Sequence, residues 1–137
     1  MPSRHRSRQR ALQLLFQLDM RPQDVDTALA EFYDSLFADD GDPERAPDPF
    51  MEELVRGAVG RMEEIDRRIG EHSEHWRLDR MPGVDRNILR LAVCELMLTE
   101  TPPAVVIDEA LELARRFAGD DSIAFINGVL DSIRRGL

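Results

Sequence analysis

The hydrophobic residues of this chain recur at helical spacing almost throughout, and one stretch is apolar around most of its circumference. In residues 84–98, VDRNILRLAVCELML, apolar side chains cover more than half of a helical wheel. Arg86, Asn87 and Arg90 form the narrow polar side. Because a surface helix has a single apolar stripe, this pattern predicts a central helix with other helices packed around it.

Two residues of this central segment carry reactive groups but fit structural roles better. Glu95 lies within the apolar arc, where a carboxylate is costly unless it accepts hydrogen bonds or pairs with an arginine. We interpret it as a structural acid in preference to a catalytic acid. Cys94, the single cysteine, is interpreted as a small core residue because no neighbour in the sequence would lower its pKa.

Five further segments each have one apolar stripe, whereas strand-like runs are almost absent, so the pattern predicts an all-α protein. Helices are predicted over about residues 7–18, 24–36, 51–69 and 105–118, and a last helix is capped by Asp120, Asp121 or Ser122. The helix over 51–69 is the most regular, and its Gly57 and Gly60 would permit close approach of a neighbouring helix.

The inward faces of these predicted helices contain large apolar side chains. Phe16, Val59 and Phe117 are assigned to such faces in the first, third and fifth helices. Residues 38–49, which are rich in acids and proline, are predicted to form an exposed connection.

Length and composition narrow the class of protein. The 137 residues suffice for one domain with a hydrophobic core. The chain has no long apolar run or signal-peptide pattern, so we expect a cytoplasmic protein with no membrane partner. His72 and His75 stand three residues apart, but no Glu-x-x-His motif exists, so neither a metal nor another cofactor is expected.

The net charge of −9 conceals an uneven distribution. Residues 1–18 contain four arginines, at positions 4, 6, 8 and 10, and no acid, whereas the other 14 arginines and 27 acids sum to −13. Cations at the start of a helix oppose its dipole unless a ligand supplies negative charge. An acidic body with a basic N-terminal arm indicates nucleic-acid binding, and a solubilising tail is the alternative.

One aromatic residue lies away from the core face of its own helix. Phe125 is roughly 110° from the centre of the apolar stripe of the last helix. It either packs against another helix or is exposed for stacking on an unpaired base. Asp121, close to it in sequence, either accepts a hydrogen bond from a base or caps the helix.

Three segments together resemble the NusB family of bacterial transcription antitermination proteins, in the same order and spacing over almost the whole chain. They are RHRSRQRALQLLFQ at 4–17, PGVDRNILRLAVCEL at 82–96 and VIDEALELARRFAGDDSIAFINGVLDSI at 106–133. The resemblance implies one domain, 1–137, with about seven helices. A flexible basic arm at 1–6 would precede two small packed bundles, at 7–72 and 73–137.

The resemblance also implies a function without catalysis. NusB-like proteins pair with the small-subunit ribosomal protein NusE, and the pair binds the single-stranded boxA element of leader and ribosomal RNA transcripts. The assembly, with other Nus factors, keeps RNA polymerase elongating. These interactions would therefore be the task of this chain as well.

Matching the family pattern residue by residue implies the site. The RNA-binding positions would be Arg4, Arg6, Arg8, Arg86, Asp121 and Phe125. The NusE-binding positions would be Phe16, Asp79 and Asp85. Phe16 stands where a tyrosine is common, which removes a hydroxyl from that contact.

Two other functions remain open from the sequence. Similar helical domains precede the catalytic domain of ribosomal RNA cytosine methyltransferases, although no methyl-donor site is found here and a freestanding protein is favoured. A helical protein-interaction module would use the arginine arm only as a tail. A small-molecule enzyme is disfavoured because no catalytic pair or cofactor motif is present.

Overall fold

The computed structural model describes residues 2–37, 46–74 and 76–137, and the chain is helical through most of these ranges. Within these ranges there are seven α-helices: α1 (Arg4–Met20), α2 (Val25–Phe37), α3 (Pro49–Gly60), α4 (Met62–Glu71), α5 (Gly83–Leu98), α6 (Pro103–Phe117) and α7 (Asp120–Arg135). A 3₁₀ turn, Leu78–Arg80, lies between α4 and α5. The predicted all-α class is confirmed.

Some predictions fall outside the described residues. They concern His75, considered above as a metal ligand, and residues 38–45, which make up most of the predicted connection at 38–49. Among the described residues, no helix is both long and apolar enough to cross a membrane.

The predicted central helix is confirmed. Helix α5 packs against α1, α3, α4, α6 and α7. Every residue from Asn87 to Glu95 is buried. Burial raises the pKa of Cys94 to about 12, as expected for a thiol in the core.

The polar side of α5 is enclosed as well, because acids of neighbouring helices neutralise it. Arg90 donates to both carboxylate oxygens of Asp66, at 2.8 and 2.9 Å, and Asn87 donates to Asp19 at 3.0 Å. Burial alone would raise the pKa of Asp19, but hydrogen bonds from Arg86 and Asn87 outweigh burial and hold the pKa below its usual value. These polar contacts fix α1 and α4 against α5.

Glu95 has the structural role that its position predicted. Arg8 on α1 donates from Nε and Nη2 to the two carboxylate oxygens, at 2.8 and 2.6 Å. Both side chains are almost fully buried. The bidentate pair therefore holds the start of α1 against the end of α5.

The single helix predicted over 51–69 is wrong, because α3 ends at Gly60 and α4 starts at Met62. Arg61 between them departs from helical geometry, with φ −124° and ψ 23°. Gly60 weakens the helix at this point, because glycine loses more backbone entropy in a helix than other residues. A Cβ atom at this position would meet no neighbouring atom, so packing does not hold Gly60 in the helix. The break leaves Val59 39% exposed, although the periodicity had assigned it to the core.

Gly57 meets the predicted close approach, whereas Gly60 does not. A Cβ atom on Gly57 would lie 2.8 Å from Cδ1 of Leu98 and 3.1 Å from Sγ of Cys94. A Cβ atom on Gly60 would meet nothing within 4 Å. The absent side chain at 57 is therefore what lets α3 approach α5.

The start of α1 corrects the predicted flexible arm. The helix begins at Arg4, and Oγ of Ser3 caps it by accepting a hydrogen bond from the backbone N–H of Arg6 at 3.2 Å. Positions 4–6 of the arm are therefore the first helical turn, because the serine satisfies a free N–H there.

Candidate nucleic-acid interface

The predicted site residues lie near the two ends of α1. Helices α1 and α5 run antiparallel, since Arg8 pairs with Glu95 and Asp19 pairs with Arg86. The 16 residues from Arg4 to Asp19 span roughly 22 Å of helix axis. A single nucleotide cannot contact both ends.

We call the first region the arm end. Arg4 is exposed there, and its guanidinium carbon lies 4.3 Å from the centroid of the Phe50 ring. His5 contacts Glu109 of α6 at 2.8 Å, which fixes the first turn of α1. Arg6, half-buried, completes the accessible basic surface of the arm. An exposed cation–π contact is worth about 0.5–1 kcal/mol, so Arg4 could turn to a phosphate at small cost.

Arg8 does not belong to this surface, which corrects its predicted contact with RNA phosphate. Its side chain is 5% exposed and is occupied by Glu95. Burial alone would lower the pKa of Arg8, but the hydrogen bond and charge of Glu95 raise it above its usual value. Reaching a phosphate would leave Glu95 as an unpaired buried charge, and breaking such a pair costs about 3–5 kcal/mol.

The second region, which we call the junction end, is where the starts of α5 and α7 meet. Asp85, in the first turn of α5, is 5% exposed and accepts a hydrogen bond at 2.7 Å from Ser122 Oγ in the first turn of α7. Its predicted direct contact with NusE is therefore corrected, because the carboxylate faces into the protein. Asp85 and Ser122 instead position α7, and with it Phe125.

Arg86 is used inside the protein at the same end. Its Nε and Nη2 donate to Asp19 at 2.9 and 2.7 Å, and its Nη1 donates to the backbone carbonyls of Leu78 and Met81 at 3.1 and 3.0 Å. These bonds hold the 3₁₀ turn against α5. Little of the guanidinium remains for the predicted RNA contact.

Asp79, carried by that turn, faces solvent. Its side chain is 68% exposed and pairs with Arg77 at 3.4 Å. An exposed pair of this kind contributes little to stability. The carboxylate of Asp79 therefore remains accessible at the surface.

Phe125 packs against a tryptophan outside its own helix and is not fully covered. It is half-buried, and its ring centroid lies 6.5 Å from that of Trp76 with an interplanar angle of 65°. Trp76, which precedes the 3₁₀ turn, is 51% exposed. Its contact with Phe125 joins two segments far apart in sequence.

Asp121 does not cap α7, so that alternative is wrong. The helix begins one residue earlier, with Gly119 at the cap position and no side-chain capping bond. Asp121 is exposed in the first turn, and its spacing of four residues places it on the same face as Phe125. A carboxylate acceptor therefore lies on the same helix face as the partly open ring.

An apolar groove of about 420 Å³ lies between α1, α2, α5 and α6. Its lining includes Phe16, Phe32, Val84 and Phe117, with Arg6 at one side. Phe117 is 49% exposed, which corrects its predicted place in the core. A Cβ atom on Gly83 would lie 3.0 Å from the Phe16 ring, so the absence of a side chain there makes room for this ring.

Metal binding has no support in the described part of the chain, where no group of three or more potential ligands is found. His72 instead contacts Ser132 Oγ at 2.7 Å.

Comparison with known proteins assigns the chain to a family. A statistical model of the NusB family matches residues 5–135, which is nearly the entire chain. The chain belongs to the NusB family. Curated NusB proteins agree: the transcription antitermination protein NusB of Solibacter usitatus is 57% identical, with 98% of this chain and 90% of the relative covered. The NusB of Streptomyces coelicolor is 46% identical, with 98% and 94% covered.

Solved NusB structures have the same architecture. T. maritima NusB superimposes with a TM-score of 0.82 at 34% identity, covering 98% of this chain and 92% of that one. A chain from a crystal structure of antitermination factors NusB and NusE in complex with double-stranded RNA gives a TM-score of 0.81 at 29% identity, covering 99% of this chain and all of that one. The resemblance to NusB seen in the sequence is thereby confirmed.

Proposed function

We propose that this protein is a transcription antitermination factor that binds the single-stranded boxA element of RNA together with NusE. The observation that carries this function is similarity over nearly the full chain to antitermination proteins, including 57% identity to the Solibacter usitatus protein. Related NusB has been crystallised with NusE and double-stranded RNA. The role is one of binding and assembly on nascent transcripts in the cytoplasm, without catalysis.

The two ends of α1 supply different parts of RNA recognition. Arginine contacts to phosphate fix the position of an RNA strand but do not select its sequence. The accessible cations Arg4 and Arg6 serve this purpose at the arm end. Bases of single-stranded RNA are recognised by stacking and by hydrogen bonds at their edges, which Phe125 and Asp121 supply at the junction end. A strand of several nucleotides connects the two ends.

NusE binds through Phe16 and Asp79. Phe16 supplies apolar surface in the groove, and Asp79 supplies an exposed negative charge on a turn that Arg86 holds in place. An exposed carboxylate at an interface favours a partner that presents a positive charge to it. The contact places NusE beside the junction end, where it can complete the surface that meets the bases.

A titration with labelled RNA tests this function. Fluorescence anisotropy is measured for a boxA-like single strand, for a scrambled strand and for a duplex of the boxA sequence, each with and without purified NusE. We expect NusE to tighten binding to the boxA single strand and not to the scrambled strand. Absence of RNA binding under every condition would favour the protein-interaction module instead.

A further inference from the structure

Trp76 and Phe125 form an aromatic pair at the junction end, and Trp76 is more exposed than its structural role requires. Trp76 is 51% exposed, although its ring packs against Phe125 in an edge-to-face arrangement. The backbone at this position is already fixed, because the buried Ser73 hydroxyl is 3.2 Å from the Trp76 carbonyl and the Trp76 N–H donates to the Ser73 carbonyl at 3.4 Å. The turn is thus held by its backbone, while a large apolar ring faces solvent.

The geometry of the two rings defines what can bind them. An interplanar angle of 65° means that one ring supports the other edge-on, so a face of the pair stays open to a flat partner. Trp76 supplies the larger surface, since Phe125 is partly covered. A nucleobase is a flat partner, and base–aromatic stacking accepts any base.

The charges around the rings favour a base over a phosphate. Asp121 lies one helical turn before Phe125, and Asp79 lies three residues after Trp76; both are exposed. These acids repel phosphate from the rings. Arg77 is 73% exposed and bound only through a surface pair with Asp79, so it can contact the RNA backbone at the margin.

We propose that Trp76 is a second base-stacking residue, which takes an unpaired base of RNA on its open face while Phe125 supports the indole edge-on. This inference rests on the proposed function and names a residue that the predicted site does not contain. It assigns base recognition at the junction end to two rings brought together by folding, with Asp121 beside them as the edge acceptor.

The chain contains one tryptophan, so its intrinsic emission reports on this residue alone. Titration with boxA single strand is followed by indole emission and by access of acrylamide to the indole. We expect the base to quench the emission and to reduce acrylamide access. When NusE is present, the same titration with Trp76→Phe, which has no tryptophan, is subtracted to remove any emission from NusE.

Affinity is measured in parallel by anisotropy of labelled RNA. Trp76→Ala is expected to weaken binding about 5- to 150-fold, the range for loss of one stacked base. Trp76→Phe should retain most of the affinity because it keeps a ring. Val59→Ala is the control: it trims an exposed apolar side chain on α3, a helix that supplies none of the predicted site residues.

The outcomes separate this inference from the proposed function. If RNA binds by anisotropy while indole emission, acrylamide access and the affinity of Trp76→Ala all stay unchanged, the stacking role is overturned and the proposed function stands. If no RNA binds even with NusE, both fall. Should Trp76→Ala lose its helical circular dichroism, quenching of the unaltered protein still decides the question.

Discussion

Arg8 and Asp85 are charged residues that the sequence placed on binding surfaces and the fold uses internally. Each has a partner from a distant segment, Glu95 for Arg8 and Ser122 for Asp85. Residue type and position in the chain did not reveal these partners. Of the predicted set, the structure leaves Arg4, Asp79 and Asp121 exposed and Phe125 half-buried.

Loss of the Arg8 side chain is expected to destabilise the protein. Arg8→Met leaves Glu95 unpaired in the core and should lower the free energy of unfolding by about 3–5 kcal/mol. Adding Glu95→Leu should recover much of this loss, because the site of the former Arg8–Glu95 pair then contains no charged group. Urea denaturation measures both.

Arg4→Gln is the matched control for Arg8. Because it loses only the exposed contact with Phe50, it should lower the free energy of unfolding by no more than about 1 kcal/mol while weakening RNA binding. An Arg8→Met protein of unaltered stability but weakened RNA affinity would restore the phosphate role of Arg8.

Two acids near the junction end should respond differently to charge reversal. Asp79→Arg is expected to reduce capture of NusE without altering the melting temperature, because Asp79 is exposed. Asp85→Arg should lower the melting temperature, because it places an unpaired cation at a buried position. Pull-down with NusE and thermal circular dichroism measure the two effects. Equal melting temperatures for both variants would contradict the buried role of Asp85.

At the scale of helices, the position of each element follows from periodicity, but helix ends depend on local chemistry. Ser3 extends α1 to Arg4, and Gly60 divides the predicted third helix. Helix contacts depend on which side chains are absent. Gly57 permits the approach of α3 to α5, and Gly83 makes room for Phe16.

Alanine substitutions at the two glycines of α3 should have opposite effects. Gly60→Ala should raise the free energy of unfolding by about 0.4–1 kcal/mol, since it restricts the unfolded chain and meets no neighbouring atom. Gly57→Ala should lower it by about 1 kcal/mol or more, because the new methyl group overlaps Leu98 and crowds Cys94. Thermal unfolding compares the two variants. A stabilised Gly57→Ala protein would mean that the side chains of Leu98 and Cys94 on α5 move aside at little cost.

At the scale of the whole molecule, the acidic body and the short basic surface define how RNA is held. The net charge is −9, and of the four arm arginines Arg8 and Arg10 are buried in contacts with Glu95 and Asp48. Long-range attraction for RNA is therefore weak. Affinity has to come from a few phosphate contacts together with stacking and with NusE.

The salt dependence of RNA binding measures how many cations take part. Each phosphate neutralised on a single strand contributes about −0.7 to the slope of log K against log salt, so Arg4 and Arg6 predict a slope of about −1.4. Anisotropy titrations at several salt concentrations give this slope. A value near −3 would show that further arginines reach the RNA, and Arg4→Gln should make the slope shallower by about 0.7.

Hydrophobic periodicity sufficed to predict the all-α class, the central place of α5 and the structural role of Glu95, because burial follows from the sequence of apolar positions along a helix. The family resemblance supplied the function. Packing between distant segments determined which site residues stay accessible: it buried Arg8 and Asp85, and it brought Trp76 against Phe125. A local sequence pattern cannot predict these contacts, because the two residues of each contact lie 37 to 87 positions apart in the chain and meet only when the helices pack.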